Sequence, residues 1–592
     1  MSILAGEVVS VHGTKITIRT FENSNKETLF YEGRKHKGVS VREHICIRRG
    51  FRDIVCVIEG EYLDERRFEA EGDHKLFIRK VEAKPIGYLE NQEFSRGIKF
   101  LPMIRDSAYL LSEDQIQRVY NRTSENDFVV GRLLKEDIPI SLPWHKLFNS
   151  HIGIFGNTGS GKSNTLAKLY TLLFQEKAAG IEGTSDFVIM DFNGEYTNNQ
   201  VLSYEDKCVL KLNTREAEDK FTLPPEAFWD VETLSILFNA TTNTQRPFLN
   251  RMLSGKKRYE GTPNSLNRYL HATFRNAFTS EPARGETLNL LRSVSRSLQS
   301  EILVSTLDKV DFNGHNDSFD IIHNQTRRYF NTDGNTYDLV LRDVVASIDA
   351  SDINSFDELL LRANLLLIND LLYGAVQFDH IQPLLKRMES SINGFRNILT
   401  VSPAEETTSS LTVVSLRKCN QDAKKILPLL IAKHYYNHQR SRAESPLTNS
   451  LHLIIDEAHN ILSQQSIREH EVWKDYRLEL FEEIIKEGRK FGMFLTIASQ
   501  RPADISPTIV SQIHNYFLHR LVNDRDLYLL ENTISSLDTM SRSLIPHLSQ
   551  GSCIATGTSF EIPMVIQVDK LPEDKEPDSA DIPLDVLWRN PD

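Results

Sequence analysis

Residues 156–163 read Gly156-Asn-Thr-Gly-Ser-Gly-Lys162-Ser163 and match the phosphate-binding pattern G-x-x-x-x-G-K-[ST]. The apolar stretch Ile152-Gly-Ile-Phe155 precedes them, and a helical pattern from Ser163 to Gln175 follows. The glycines let consecutive backbone N–H groups point inward at the start of a helix, which forms a nest for anions. Strand, loop and helix in this order predict a parallel α/β sheet with a bound nucleotide.

The length and composition of the chain limit the classes of protein to consider. Its 592 residues are too many for one hydrophobic core, and its 40% hydrophobic content is ordinary for a soluble protein. We see neither a signal peptide nor an apolar run of the roughly 18 residues that cross a bilayer, so we expect a cytoplasmic protein with no membrane contact. Five scattered cysteines lack metal-ligand spacing. The net charge of −12 argues against a surface that coats nucleic acid but permits a basic pore.

Changes in the residue pattern divide the chain into segments. Short alternating stretches, with a hairpin signal at His12-Gly13, predict a β-barrel for assembly or docking. A later leucine-rich region begins with Ser355-Phe-Asp-Glu358, which predicts a capped helix. The predicted segments are an N-terminal β-barrel at 1–105, the first part of an α/β core at 130–220, an inserted helical subdomain at 221–400, the second part of the core at 401–550, and a C-terminal β segment and tail at 551–592.

The glycine-rich loop contains residues with separate chemical roles. Lys162 can reach the β- and γ-phosphates of ATP, and the Ser163 hydroxyl is suited to bind Mg²⁺. We therefore treat Lys162 as catalytic as well as nucleotide-binding. The predicted nucleotide-binding residues of this segment are Gly156, Asn157, Thr158, Gly159, Ser160, Gly161, Lys162, Ser163 and Asn164.

A second apolar strand, Leu451-His-Leu-Ile-Ile455, ends in Asp456 and Glu457. We expect Asp456 to hold Mg²⁺, through a water, and Glu457 to polarise the attacking water. Two acids after a strand also occur in solvated turns, but a phosphate loop in the same chain favours the catalytic interpretation. Residues 456–459 spell Asp-Glu-Ala-His, yet the DEAH-box helicases are excluded because 294 residues separate Lys162 from Asp456 and their paired arginine motif is missing.

Two further strands end in polar residues. Gln500 follows Phe494-Leu-Thr-Ile-Ala-Ser499, where its amide can sense the γ-phosphate and hold water. Asp191 ends the strand that begins at Phe187, and Glu195 lies four residues later. Ligands of parallel sheets bind at the carboxyl edge, so we add Asp191 and Glu195 to the predicted nucleotide site. Simple turns are the alternative interpretation of both segments.

The segment Glu487-Gly-Arg489-Lys-Phe-Gly492 precedes the strand that ends at Gln500. Arg489 can act as an arginine finger on the nucleotide of a neighbouring subunit. Basic residues at this place also offset the dipole of a preceding helix, so the sequence leaves both interpretations open.

The order of these motifs resembles the HerA–FtsK family, and within it the hexameric HerA ATPases. The resemblance covers most of the chain and rests on the glycine-rich loop, Asp191–Tyr196, Ile455–His459, Glu487–Gly492 and Ala498–Pro502. It implies a RecA-like P-loop core with an N-terminal β-barrel, an inserted helical subdomain and a short C-terminal β segment. It also implies a homo-hexamer that hydrolyses ATP with Mg²⁺ and threads double-stranded DNA through its central pore.

The resemblance leaves one position unmatched. Family members often carry an arginine immediately before the histidine that starts the P-loop strand, where it acts on the neighbour's nucleotide. In this chain Ser150 precedes His151, so either another residue, such as Arg489 or Arg132, supplies that charge, or activation between subunits is weaker.

The resemblance also implies a separate effector protein. In the family this partner is a nuclease for DNA end processing, or a nuclease or sirtuin-type NAD hydrolase in antiviral defence, and we expect it to dock on the N-terminal β-barrel. An oligomeric scaffold that binds ATP and activates an effector without translocation is the alternative. A secretion or conjugation ATPase would carry a membrane segment, which the sequence does not show.

Overall fold

The computed structural model describes residues 3–22, 28–31, 34–67, 75–91, 93–120, 128–330, 335–403, 409–464 and 471–578. They form an N-terminal β-barrel, an α/β core with an inserted subdomain, and a C-terminal β segment, which confirms the predicted fold class. The predicted tail lies in part, at residues 579–592, outside the described residues. Among the residues described, no helix is both long enough and apolar enough to span a bilayer.

The N-terminal region is an antiparallel barrel followed by a short helix. Its elements are β1 (Leu4–His12), β2 (Lys15–Thr20), β3 (Thr28–Tyr31), β4 (Arg34–Lys37), β5 (His44–Arg49), β6 (Arg52–Arg67), β7 (Lys75–Glu90), β8 (Glu93–Arg96), β9 (Ser107–Leu110) and α1 (Glu113–Tyr120). Six strands in the order β2-β1-β9-β5-β6-β7 close on themselves because β2 also pairs with β7. The predicted hairpin is confirmed, since His12 pairs with Lys15. Along β2, Ile16 and Ile18 are fully buried inside the barrel.

The first part of the core carries the glycine-rich loop. Its elements are β10 (Phe128–Leu133), β11 (Pro139–Leu142), α2 (Trp144–Phe148), β12 (Ile152–Phe155), α3 (Lys162–Ile181), β13 (Ser185–Asp191) and β14 (Cys208–Asn213). All four residues of β12 are buried, as expected for a parallel strand covered by helices on both faces.

The inserted subdomain leaves and rejoins the core at one place, because its first and last strands pair in parallel. Its elements are β15 (Phe221–Leu223), α4 (Pro225–Phe228), α5 (Val231–Phe238), α6 (Gln245–Arg258), α7 (Ser265–Thr279), α8 (Gly285–Ser297), α9 (Glu301–Leu307), β16 (Val310–Asn313), β17 (Ser318–His323), β18 (Thr326–Tyr329), α10 (Thr336–Val340), α11 (Arg342–Ala346), α12 (Ser355–Leu372), α13 (Phe378–Ile398) and β19 (Leu399–Val401). Strands β16–β18 form a small antiparallel sheet that the sequence did not predict.

Helix α12 begins at the predicted place, but its cap differs by one residue. Asn354 has an extended backbone, and its side chain accepts hydrogen bonds from the backbone N–H groups of Phe356 and Asp357. Asn354 is therefore the N-cap, and the expectation that Ser355 caps this helix is wrong.

The second part of the core completes the sheet. Its elements are β20 (Leu411–Lys418), α14 (Gln421–Arg442), β21 (Ser450–Ile455), α15 (His459–Leu462), α16 (Glu471–Glu487), β22 (Met493–Ser499), α17 (Pro507–Ser511), β23 (Asn515–Leu518), α18 (Asp524–Thr533), α19 (Thr539–Leu544), β24 (Ser552–Gly557) and β25 (Met564–Val568). The strand order is β11-β10-β25-β24-β23-β12-β22-β21-β13-β20-β14. The C-terminal strands β24 and β25 thus belong to the core sheet, which they extend in antiparallel pairing.

The seven strands from β23 to β14 run in parallel, so their carboxyl ends share one edge of the sheet. Phe155 lies beside Ser499 in this register, and Met190 lies beside Ile455. The residues that follow these four strand ends are therefore placed next to one another, although hundreds of positions separate them in sequence.

Candidate nucleotide-binding site

The glycine-rich loop joins β12 to α3, as predicted. Gly159 and Gly161 have φ angles of 72° and 102°, which lie in the left-handed region that favours glycine. No side chain caps α3, so the N–H groups of its first turn are available to an anion. A β-carbon on Gly161 would lie 2.8 Å from Gly551 Cα, and Gly551 N donates a hydrogen bond to Ser160 O at 2.9 Å. The loop therefore rests against the turn before β24.

Lys162 lies between the two acids that follow β21. Its Nζ is 2.9 Å from Asp456 Oδ1 and 3.1 Å from Glu457 Oε1. All three side chains are at most 5% exposed. Burial disfavours the lysine charge, but the two acids outweigh this effect and raise the pKa of Lys162. A phosphate group that binds here must therefore compete with these carboxylates for a charged lysine.

Glu457 is held by partners on several sides. Gln500 Nε2 donates a hydrogen bond to Glu457 Oε1, and Gln500 Oε1 accepts one from Thr158 Oγ1 at 2.6 Å. His459 Nδ1 lies 3.2 Å from Glu457 Oε2. Burial alone would raise the pKa of Glu457, but His459, Lys162 and Gln500 lower it to about 2. Glu457 is thus ionised, and Gln500 connects it to the phosphate loop.

The backbone of Glu457 has a φ of 50°, in the left-handed region. Residues other than glycine adopt this conformation at a cost, and such strained residues cluster at functional sites. Here the turn directs the Glu457 carboxylate towards Gln500 and the phosphate loop.

The Asp191 carboxylate shapes the segment after β13. It is fully buried and accepts hydrogen bonds from the backbone N–H groups of residues 193–196, at 2.7 to 3.2 Å. Burial raises the pKa of Asp191, although these N–H groups partly offset the effect. The turn brings the Tyr196 hydroxyl to donate to Asp456 Oδ2 at 3.3 Å. Asp191 thus acts on the site through the backbone that it organises.

The oxygen donors beside Lys162 suit a hard divalent cation. Burial, and then the negative charge of Asp456, raise the pKa of Glu195, whereas the Ser163 hydroxyl lowers it in part. Ser163, Glu195 and Asp456 are therefore neighbours, and the two acids repel each other. Mg²⁺ prefers such oxygen ligands and would relieve the repulsion, so these residues fit the metal that we expect with ATP.

Arg489 lies at the other edge of the sheet. It is an exposed residue of the 3₁₀ turn Gly488–Phe491, immediately before β22, whereas Gln500 follows the end of that strand. A strand of this length separates the two by roughly 20 Å. Burial lowers the pKa of His514, and the charge of Arg489 lowers it further. Arg489 thus lies near His514, away from the nucleotide site of its own chain.

Three residues of the site had no assigned role in the sequence analysis. His459 and Tyr196 lie within motifs that we quoted, but nothing in the sequence indicated that their side chains reach Glu457 and Asp456. Gly551 lies in no motif, and its contact with Gly161 follows only from the packing of β24 beside β23.

Comparison with known proteins identifies the domain that carries this loop. Residues 128–348 match the family model described as "Helicase HerA, central domain". This segment is thus similar to the HerA central domain. The match confirms the resemblance and the prediction of an ATP-binding ATPase.

Proteins named HerA are similar to this chain over most of its length. The "DNA double-strand break repair helicase HerA" of Sulfurisphaera tokodaii is 24% identical over 480 residues, which are 79% of this chain and 74% of the relative. The protein of the same name from Pyrococcus furiosus is 22% identical and covers 78% of this chain and 72% of its own. Among solved structures, VirB4 of Thermoanaerobacter pseudethanolicus is similar with a TM-score of 0.44 and 12% identity, over 77% of this chain and 99% of VirB4.

Proposed function

We propose that this HerA-type chain hydrolyses ATP with Mg²⁺ and uses the energy to move double-stranded DNA through a ring of six copies. The observation that carries the hydrolytic part is the cluster of Lys162, Asp456, Glu457 and Gln500 at one sheet edge. Together these residues supply a phosphate-binding cation, a carboxylate for the metal, a carboxylate for water and an amide that senses the γ-phosphate.

The pairing of Lys162 with both acids suggests how binding prepares the reaction. The γ-phosphate draws Lys162 away, and Glu457 then loses one of the groups that lower its pKa. Its carboxylate becomes a better acceptor for the proton of the attacking water. The oxygen of that water bonds to the γ-phosphorus while the bond to the β–γ bridging oxygen breaks, and Gln500 orients the water. Mg²⁺, held by Ser163 and Asp456, supplies positive charge to the phosphates when bound.

The position of Arg489 supports a ring in which neighbours complete each other's sites. A closed ring joins two different faces of each subunit. The nucleotide lies at the carboxyl edge of the sheet, so a residue at the amino edge can serve only a neighbour. Lys490 is bound to Glu487, whereas the Arg489 guanidinium has no ion pair within the described residues. Arg132 pairs with Asp137 in its own hairpin, which makes it the weaker candidate.

Replacing Arg489 by alanine should lower the turnover of ATP at least about tenfold without weakening ATP binding, because the charge acts on the neighbour's γ-phosphate only in the transition state. Phosphate release and equilibrium ATP binding measure the two quantities. Lys490→Ala removes the adjacent charge and serves as the control. Equal losses in both variants would assign these residues a general structural role.

Features outside the nucleotide site support the proposed DNA and effector partners. The barrel exposes the apolar side chains Phe51, Met103 and Ile104, which suit a docking surface for a separate nuclease or sirtuin-type NAD hydrolase.

At the end of α6, Lys257 and Arg258 are exposed, whereas Lys256 is bound to Glu358. These two cations are candidates to meet the DNA backbone. With such an effector, the ring would act in antiviral defence or DNA end processing in the cytoplasm.

Linear double-stranded DNA should raise the turnover of ATP several-fold, because a translocating motor couples product release to movement along its track. Steady-state phosphate release with and without DNA measures the effect. The stimulation should decline as the salt concentration rises, since phosphate contacts release counterions. Equal rates of ATP turnover with and without DNA in the assembled complex would contradict translocation.

An oligomeric scaffold that binds ATP and activates an effector without processive translocation is the second candidate. It is favoured by Ser150, which stands where the family often has an arginine. Its hydroxyl is buried, donates to Leu147 O at 2.7 Å and accepts from Asn515 Nδ2 at 2.6 Å, so this position offers no charge to a neighbour. Effector activity that survives in Glu457→Gln, but is lost when the ring is disrupted, would favour the scaffold.

A further inference from the structure

A second cluster of titratable side chains lies where the barrel meets the core. Glu43 and His44 lie at the start of β5, and Glu136 lies in the turn between β10 and β11. Their exposed fractions are 5%, 6% and 8%. Each offers one potential ligand atom, and these atoms all lie within 4.8 Å of one another. None of the three residues belongs to the nucleotide site.

One nitrogen of His44 has no hydrogen-bond partner. His44 Nε2 is 2.9 Å from the Tyr120 hydroxyl, which fixes the orientation of the ring. Nδ1 is buried and unpaired within the part of the chain that the structure describes, and Glu136 Oε1 is 3.7 Å away, too far for a hydrogen bond. Burial, together with the charge of Lys135, lowers the pKa of His44 to about 4. The ring is therefore neutral at pH 7 and offers a lone pair.

The negative charges of the two carboxylates are only partly balanced by nearby positive charges and hydrogen-bond donors. Glu43 Oε1 pairs with Lys135 Nζ at 3.0 Å, but Glu43 Oε2 is buried and has no hydrogen-bond partner among the residues described. Burial, and then the negative charge of Glu43, raise the pKa of Glu136. Lys135 and Arg42 offset this rise only in part. Both acids are buried, and an additional positive charge would stabilise both.

The geometry is close to that of a metal site. Ligand atoms around tetrahedral Zn²⁺ are about 3.4 Å apart, so the 3.7 Å between His44 Nδ1 and Glu136 Oε1 requires only a small adjustment. An adjoining cavity of about 330 Å³, lined in part by His44, Tyr120 and Glu136, has room for a water as a further ligand. One nitrogen and carboxylate oxygens are ligands that zinc accepts.

We propose that Glu43, His44 and Glu136 bind one divalent cation of the Zn²⁺ type, which fastens the N-terminal barrel to the ATPase core. The ion would add to the described contacts between these two units, which include apolar packing and the contacts of Lys135 with Ser40, Val41 and Glu43. Tyr120 is a positioning residue, because its hydroxyl contacts His44 Nε2, the ring nitrogen that does not bind the ion.

Titration of the chelator-treated full-length chain with Zn²⁺ and with Co²⁺ tests the proposal. We expect one ion per chain, and a Co²⁺ spectrum with d–d bands but without the intense charge-transfer band of a thiolate ligand. The variants His44→Gln and Glu136→Gln should each lower the affinity for Zn²⁺ at least about tenfold. Glu59→Gln, which lines the same cavity but lies outside the cluster, is the matched control and should bind as the wild type does.

Thermal melting provides a second measurement, which does not require the affinity to be determined. Zn²⁺ should raise the melting temperature of the wild type and of Glu59→Gln, but not of His44→Gln or Glu136→Gln. The absence of stoichiometric binding to the wild type would overturn the proposal. A thiolate band in the Co²⁺ spectrum, or full binding in both cluster variants, would do the same, because the ion would then lie elsewhere.

Discussion

Replacing Glu457 by glutamine should lower the turnover of ATP by about 10²–10⁴-fold, the range that a positioned general base contributes. Glutamine has nearly the same shape and can still contact Gln500 and Lys162, but it cannot accept a proton from water. Binding of ATP should persist and can even strengthen, because one negative charge is removed beside the phosphates. Steady-state phosphate release gives the turnover, and calorimetric titration with ATP gives the affinity.

The control for this prediction is Glu176→Gln. This glutamate is exposed and lies in the last turns of α3, at the helix end remote from the phosphate loop. It changes the same functional group and the same net charge without touching the site, so turnover should remain unchanged. A Glu457→Gln variant that retained most of its turnover would show that another group activates water.

Replacing Gly161 by alanine should weaken the binding of ATP by roughly 10²–10³-fold, because two penalties act together. A left-handed backbone costs a residue with a β-carbon about 1–2 kcal/mol. The new methyl group would also lie 2.8 Å from Gly551 Cα and 2.9 Å from Gly551 N, which are backbone atoms and cannot rotate away. Overpacking of this kind costs about 1–3 kcal/mol. The loop would relieve both penalties by leaving the conformation that binds phosphate.

Alanine variants of Gly159 and Gly180 separate the backbone penalty from the penalty of contact with Gly551. Gly159 also has a positive φ, but no atom lies within 4 Å of its β-carbon position, so Gly159→Ala carries only the backbone penalty. We expect its ATP affinity to fall about tenfold, which corresponds to about 1.4 kcal/mol. Gly180→Ala, in open space within α3, should leave the affinity unchanged. Equal effects at Gly159 and Gly161 would show that contact with Gly551 does not shape the loop.

The residues of the candidate nucleotide site could be predicted from their order along the chain. The phosphate loop is a contiguous pattern whose glycines and lysine have the same roles wherever a strand precedes them and a helix follows. Asp456, Glu457 and Gln500 each follow an apolar strand, and parallel strands bring their carboxyl ends to one edge. These inferences need only local residue order and one rule of sheet topology, so they required no knowledge of the packing.

The side chains that meet across the fold could not be predicted from the sequence. The strand order β25-β24-β23-β12 places β24 and β25 in the core sheet and brings Gly551 next to Gly161. Likewise, Glu43 and His44 meet Glu136 only because the barrel packs on the hairpin of β10 and β11. Such contacts depend on the shapes and volumes of whole elements in a close-packed interior, which no short stretch of sequence contains.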